Sequence, residues 1–85
     1  MSKNPLQFQE PYPSQLDLII ADVLRELDLA SAKFPPFPTA MHGAAVIREE
    51  HDEFWDEIKK NDINRAREEC VQVAAMAIRF LMDTE

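Results

Sequence analysis

The six prolines of this chain fall into two groups, and their placement restricts the fold more than any other feature of the sequence. One group lies within residues 1–13, and the other lies within the segment FPPFP at residues 34–38. Because proline interrupts helices, long helices can form only in residues 14–33 and 39–85. The chain also has a single glycine, whereas hairpin-rich folds need more of them. The sequence therefore predicts an all-α protein.

Apolar residues recur at helical spacing in both stretches, and capping residues indicate where each helix begins. We expect helices from Ser14 to about Lys33, from Thr39 or Ala40 to about Lys60, and from Asn61 or Asp62 to about Asp83. Three helices with short connections predict an up-and-down helical bundle. The predicted organisation is an irregular N-terminal arm at residues 1–13 and a single helical domain at residues 14–85.

The small size of the chain predicts self-association. A chain of 85 residues has a marginal core, and Cys70 is its only cysteine, so no disulfide within the chain can stabilise it. We therefore expect a homodimer or higher homo-oligomer that completes the core. The contact would use apolar residues of the third helix outside its inward face, namely Val71, Ala74, Ala75 and Ile78.

Charge and composition restrict the other partners. The net charge of −7 argues against nucleic acid as a partner, because phosphate backbones bind basic surfaces. The same charge is compatible with metal cations. The start of the chain lacks the apolar core of a signal peptide, and no apolar run is long enough to span a membrane. Together with the single unpaired cysteine, these features predict a cytoplasmic protein without a membrane partner.

Several glutamates fall on the inward side of the predicted helices. On a helical wheel of the second helix, Glu50, Glu53 and Glu57 lie along one edge of the apolar face. On the third helix, Glu69 lies within the apolar face and Gln72 lies at its edge. An isolated carboxylate in the position of Glu69 is costly, so we expect it to be paired, protonated or bound to a metal. Oxygen-rich pockets of this kind suit hard cations such as Mg²⁺.

The same residues also allow a purely structural interpretation. Most glutamates on helices are solvated or pair with a lysine or arginine one turn away. Glu69 itself could form a salt bridge with Arg48 or Arg65. Structural roles are also expected for a packed histidine, a small core thiol and a core or interface indole, which are His51, Cys70 and Trp55.

The segments VIREEHDEFWDEI and REECVQVAAMAIRFLMD carry a family resemblance. They resemble the MazG-like, all-α nucleoside triphosphate pyrophosphohydrolase superfamily, and FPPFPTAMHGAAVIREEHDEFWDEI resembles a small and mostly uncharacterised branch of it. The family signature is ExxE on one helix and ExxD on the next. Glu50 and Glu53 match the first half, and Glu69 opens the second half, where Gln72 takes the place of the aspartate. The resemblance covers about residues 14–83.

This resemblance implies hydrolysis of a nucleoside triphosphate or related nucleotide to the monophosphate and pyrophosphate. Glu50, Glu53 and Glu69 would be the catalytic carboxylates that hold Mg²⁺ or Mn²⁺, with Gln72 as a fourth, uncharged ligand. The ion would bind the phosphates and help to activate water. Three basic residues could contact phosphate, namely Arg48, Lys60 and Arg65.

Gln72 leaves open whether the protein is an enzyme, because an amide oxygen can coordinate a cation but brings no charge. One hypothesis is an active, Mg²⁺-dependent nucleotide pyrophosphohydrolase, which the intact Glu50–Glu53 pair favours. A second is a catalytically silent MazG-like bundle that binds a nucleotide or a partner protein and has a regulatory role, which Gln72 favours. A third is a helical oligomerisation module without a ligand.

Overall fold

A computed structural model describes residues 14–84, which form three α-helices and no strand. Helix α1 spans Gln15–Lys33, α2 spans Ala40–Lys59 and α3 spans Ile63–Asp83. The predicted all-α fold and the three predicted helices are confirmed. The predicted N-terminal arm at residues 1–13 lies outside the described residues, as does Glu85. Within the described part, no helix is both long and apolar enough to cross a membrane.

Local capping explains the helix boundaries. The Ser14 hydroxyl accepts a hydrogen bond from the Asp17 amide, and the Asp17 carboxylate accepts one from the Ser14 amide, which completes a capping box at α1. Thr39 and Asp62 are the N-caps of α2 and α3, where each side chain accepts a single hydrogen bond from an amide three residues later. Asn61 has a φ of 62° and turns the chain between α2 and α3.

The three helices form an open layer with α3 in the middle. Helix α3 packs against both α1 and α2, whereas α1 and α2 do not pack against each other. Gln72 of α3 contacts Glu26 of α1, and Arg79 of α3 contacts Phe34, which directly follows α1. The contacts follow the same order along both segments, so α1 and α3 run parallel. Helix α3 has apolar residues around much of its circumference, so it can pack against one helix on each side.

The buried core is small and lies mainly where α1 meets α3. It consists of Val23, Leu27, Ala75 and Met76, with partly buried residues of α2 and of the α1–α2 connection packed around it. The predicted outer surface of α3 is part of this packing. Ala75 is fully buried, while Val71, Ala74 and Ile78 pack against the core. This surface is therefore covered, at least in part, by α1 of the same chain.

The connection between α1 and α2 is held against α3 by a buried arginine. Arg79 is only 5 % exposed. Its guanidinium donates to the carbonyl oxygens of Phe34 and Pro35 and lies 4.8 Å from the ring centroid of Phe37. Asp83 lies 3.5 Å from Arg79 Nε and accepts a hydrogen bond from the Phe37 amide at 3.0 Å. The FPPFP segment thus ends α1 and also covers the last turns of α3.

Three residues predicted to have packed roles lie on the surface. Cys70 is exposed, so the prediction of a small core thiol is wrong. Trp55 is 52 % exposed and does not belong to the core of the chain. His51 is also exposed, with its ring edge-on to Phe54. His51 and Trp55 lie on α2, an outer helix that the open layer covers on one side only. Cys70 lies on the central helix α3, where it lines an open groove between α1 and α3.

Candidate functional site

The structure brings together the three glutamates that the sequence singles out. Glu50 and Glu53 stand one turn apart on α2, and Glu69 projects from α3 towards them. One carboxylate oxygen from each residue lies within 4.8 Å of the others. Glu50 and Glu69 are half-buried, and Glu53 is exposed. We call these three residues the carboxylate cluster.

Burial and mutual repulsion disfavour the ionised form of two carboxyl groups in the cluster. Burial raises the pKa of Glu50, and the negative charges of Glu53 and Glu69 raise it further. Burial also raises the pKa of Glu69, to which Glu53 adds both its charge and a hydrogen bond. A shared proton or a cation would relieve this repulsion.

Basic residues compensate the cluster only weakly. The salt bridge considered between Glu69 and Arg48 or Arg65 is not formed, since within residues 14–84 neither arginine lies within 4.0 Å of the Glu69 carboxylate. The positive charge of Arg65 acts on Glu69 from further away and offsets part of the rise in the pKa of Glu69. Lys60 pairs instead with Glu57, at 3.5 Å.

Gln72 lies beside the cluster and links it to α1. Its amide nitrogen donates a hydrogen bond of 2.6 Å to Glu26 Oε1. The charge of Glu26 also raises the pKa of Glu50, so this carboxylate lies close enough to act on the cluster. The hydrogen bond to Glu26 uses the amide nitrogen of Gln72 and leaves its carbonyl oxygen, the atom that would serve as the predicted metal ligand, free of that contact.

Sequence reasoning did not identify Glu26. The residue immediately precedes the buried Leu27 and stands at the edge of the apolar face of α1, one turn beyond Asp22. That edge position was the available signal, equivalent to the one that distinguished Glu50 on α2. Whether Glu26 lies near the cluster depends on which side of α3 packs against α1. The sequence of α1 alone does not determine that side.

The donor set fits a hard divalent cation. Mg²⁺ binds oxygen ligands at about 2.0–2.1 Å, so two oxygens on one ion lie about 3–4 Å apart. Oxygens within 4.8 Å of one another reach that spacing with small side-chain movements. Three carboxylates can supply up to three negative charges, and water completes the coordination of Mg²⁺ in most protein sites.

Comparison of the chain with protein-family models, with curated proteins and with solved structures found no match. The resemblance to the MazG-like superfamily therefore stays a prediction that rests on the motif residues. What the protein does has to be argued from the cluster and its surroundings.

Proposed function

We propose that this protein is a metal-dependent nucleotide pyrophosphohydrolase of the MazG-like kind. It would cleave a nucleoside triphosphate or a related nucleotide to the monophosphate and pyrophosphate. The observation that supports the proposal is the convergence of Glu50, Glu53 and Glu69, three positions of the family signature, on one point between two helices.

In this proposal the chain contributes mainly a rigid arrangement of negative charge. Glu50, Glu53 and Glu69 would hold Mg²⁺ or Mn²⁺, which when bound supplies positive charge to the phosphates and lowers the pKa of water. Gln72 would orient Glu26 by hydrogen bonding, so that α1 provides a carboxylate near the place where the signature has aspartate. Glu26 could thus compensate for the missing charge of Gln72.

A second candidate function is a nucleotide-binding or regulatory bundle without catalysis. Gln72 favours it, because its side chain is neutral and supplies no charge to a metal site. Such a protein would keep the predicted homo-oligomeric state and the metal site but would release no pyrophosphate.

The test is a screen of nucleoside triphosphates with Mg²⁺ or Mn²⁺ in which pyrophosphate release is followed. We expect release by the wild type and a loss of at least about 100-fold in Glu53→Gln, because one metal-binding carboxylate is neutralised. Glu68→Gln is the matched control, since it makes the same change at an exposed neighbour of the cluster and should retain activity.

Gln72→Asp separates the two candidates. The substitution restores the signature, but it removes the donor to Glu26 and places a second carboxylate beside it. An active scaffold should therefore bind metal more tightly and depend on it more strongly in this variant. If both the wild type and Gln72→Asp release no pyrophosphate from any nucleotide, the enzyme proposal fails and the binding function is preferred.

A further inference from the structure

The N-terminal halves of α1 and α3 leave a groove between them. It has a volume of about 670 Å³, and its apolar lining comes from Ile19 and Val23 of α1 and from Val71 and Ala74 of α3. We call it the α1–α3 groove. Clefts of about 300–1,000 Å³ with mostly apolar walls are typical binding sites in proteins. The groove therefore has the size and the lining of a site for apolar side chains.

The groove lies at the end of the molecule where the predicted N-terminal arm, residues 1–13, joins α1. Because α1 and α3 run parallel, their first turns lie at the same end. Ser14 is the N-cap of α1 at that end. Ile19 and Val23 follow Ser14 by about 8 Å and 14 Å along the helix axis. An arm that turns back at Ser14 would therefore run along the groove.

We propose that the N-terminal arm docks in the α1–α3 groove of its own chain, with Phe8 as its main apolar anchor. Phe8 lies six residues before Ser14, and six extended residues span up to about 20 Å. This reach exceeds the roughly 14 Å from Ser14 to the level of Val23. Leu6 lies two residues before Phe8, so both side chains share one side of an extended segment and can enter the groove together.

The hydrogen-bonding groups of the arm complement those of the groove. Pro5, Pro11 and Pro13 have carbonyl oxygens but no amide hydrogen, so the backbone of the arm offers more acceptors than donors. Asn64 and Arg67 also line the groove, and both side chains carry N–H donors. Extended proline-rich segments bind apolar grooves well, because they lose little conformational freedom on binding.

The arm of the same chain is a better occupant of the groove than a separate molecule. A segment tethered beside its binding site has an effective concentration in the millimolar range. A separate molecule also loses translational and rotational freedom when it binds. The docked arm would hold the first half of α1 against α3. This surface differs from the carboxylate cluster, so the proposal does not depend on the proposed function.

Cys70 provides a probe of the docked arm, because it lines the groove and is the only cysteine of the chain. The test measures how fast a maleimide alkylates the Cys70 thiol in the full chain. We expect Phe8→Ser to react about 10-fold faster than the wild type, because losing the burial of a phenyl ring shifts the docking equilibrium by about that factor. The matched control is Gln9→Ser, on the opposite side of an extended arm, and it should react like the wild type.

A second measurement needs no variant. Nuclear Overhauser effects between the Phe8 ring and the Val71 methyl groups are expected in the wild type, and mixing chains with different isotope labels shows whether they arise within one chain. Circular dichroism verifies that Phe8→Ser keeps its helices. Equal alkylation rates in the wild type, Phe8→Ser and Gln9→Ser would overturn the proposal. Ring–methyl contacts that are missing, or that occur only between chains, would do the same.

Discussion

Burial and nearby negative charge both disfavour ionisation of Glu69. Glu69 projects from the apolar side of α3 towards Glu53, and burial together with the charge and hydrogen bond of Glu53 raises its pKa. In the folded chain, Glu69 therefore holds its proton to a higher pH than in the unfolded chain, where glutamate has its ordinary value of 4.5. The stabilisation is complete below that value and is lost as pH rises through the folded pKa, so the free energy of unfolding falls there.

Replacing this carboxyl with an amide should remove that pH dependence. In the absence of metal, we expect Glu69→Gln to be more stable than the wild type at neutral pH and equally stable below pH 4.5, where the wild-type carboxyl is protonated. Urea unfolding at several pH values measures the difference. Glu68→Gln, at an exposed neighbour, should change stability little at any pH. A destabilised Glu69→Gln at neutral pH would mean that the carboxylate has a favourable partner.

At the scale of the helices, the sequence predicts boundaries well and lateral contacts poorly. Each N-cap side chain accepts a hydrogen bond from the amide three residues later, as seen at Ser14, Thr39 and Asp62. Because this contact is local, the caps could be recognised from sequence alone. The surface positions of Cys70 and Trp55 were not predicted, because periodicity identifies an apolar face without showing how much of it a neighbour covers.

The link between α3 and the α1–α2 connection depends on Arg79. We expect Arg79→Met to lower the free energy of unfolding by about 2 kcal/mol, because it removes charged hydrogen bonds to two carbonyl groups and the ion pair with Asp83. Thermal or urea unfolding measures this loss. Arg67→Met is the matched control, since Arg67 is exposed on the same helix and its change should stay within about 0.5 kcal/mol. Equal losses in the two variants would contradict the role of Arg79.

At the scale of the whole molecule, the arrangement of the three helices in an open layer decides which contacts could be predicted from the sequence. The apolar residues of α3 outside its inward face could be recognised, but the sequence does not distinguish a surface for a second copy from a surface for α1. In the structure, Ala75 is buried and Val71 packs against the core of the same chain. The carboxylate cluster was predictable because Glu50, Glu53 and Glu69 come from two helices joined by a short turn. The position of Glu26 beside the cluster depends on the placement of α1 and was not predictable.

The stability of the whole fold should respond to metal if the cluster binds it. Each bound ion favours the folded state, because the three carboxylates come together only there. An ion concentration about 100 times its Kd adds about 2.7 kcal/mol, which for a chain of this size raises Tm by roughly 10 °C or more. We expect such a rise with Mg²⁺ or Mn²⁺ in the wild type and little rise in Glu69→Gln.

Protein concentration must be kept constant in these melting curves, because any association with a second copy would also raise Tm. Glu68→Gln should respond to metal like the wild type, which separates binding at the cluster from a general effect of divalent ions on an acidic chain. Metal would then stabilise the wild type most at neutral pH, where the repulsion that raises the pKa of Glu50 and Glu69 is greatest. If the wild type and Glu69→Gln show equal increases in Tm, the ion binds elsewhere and the cluster is not the metal site.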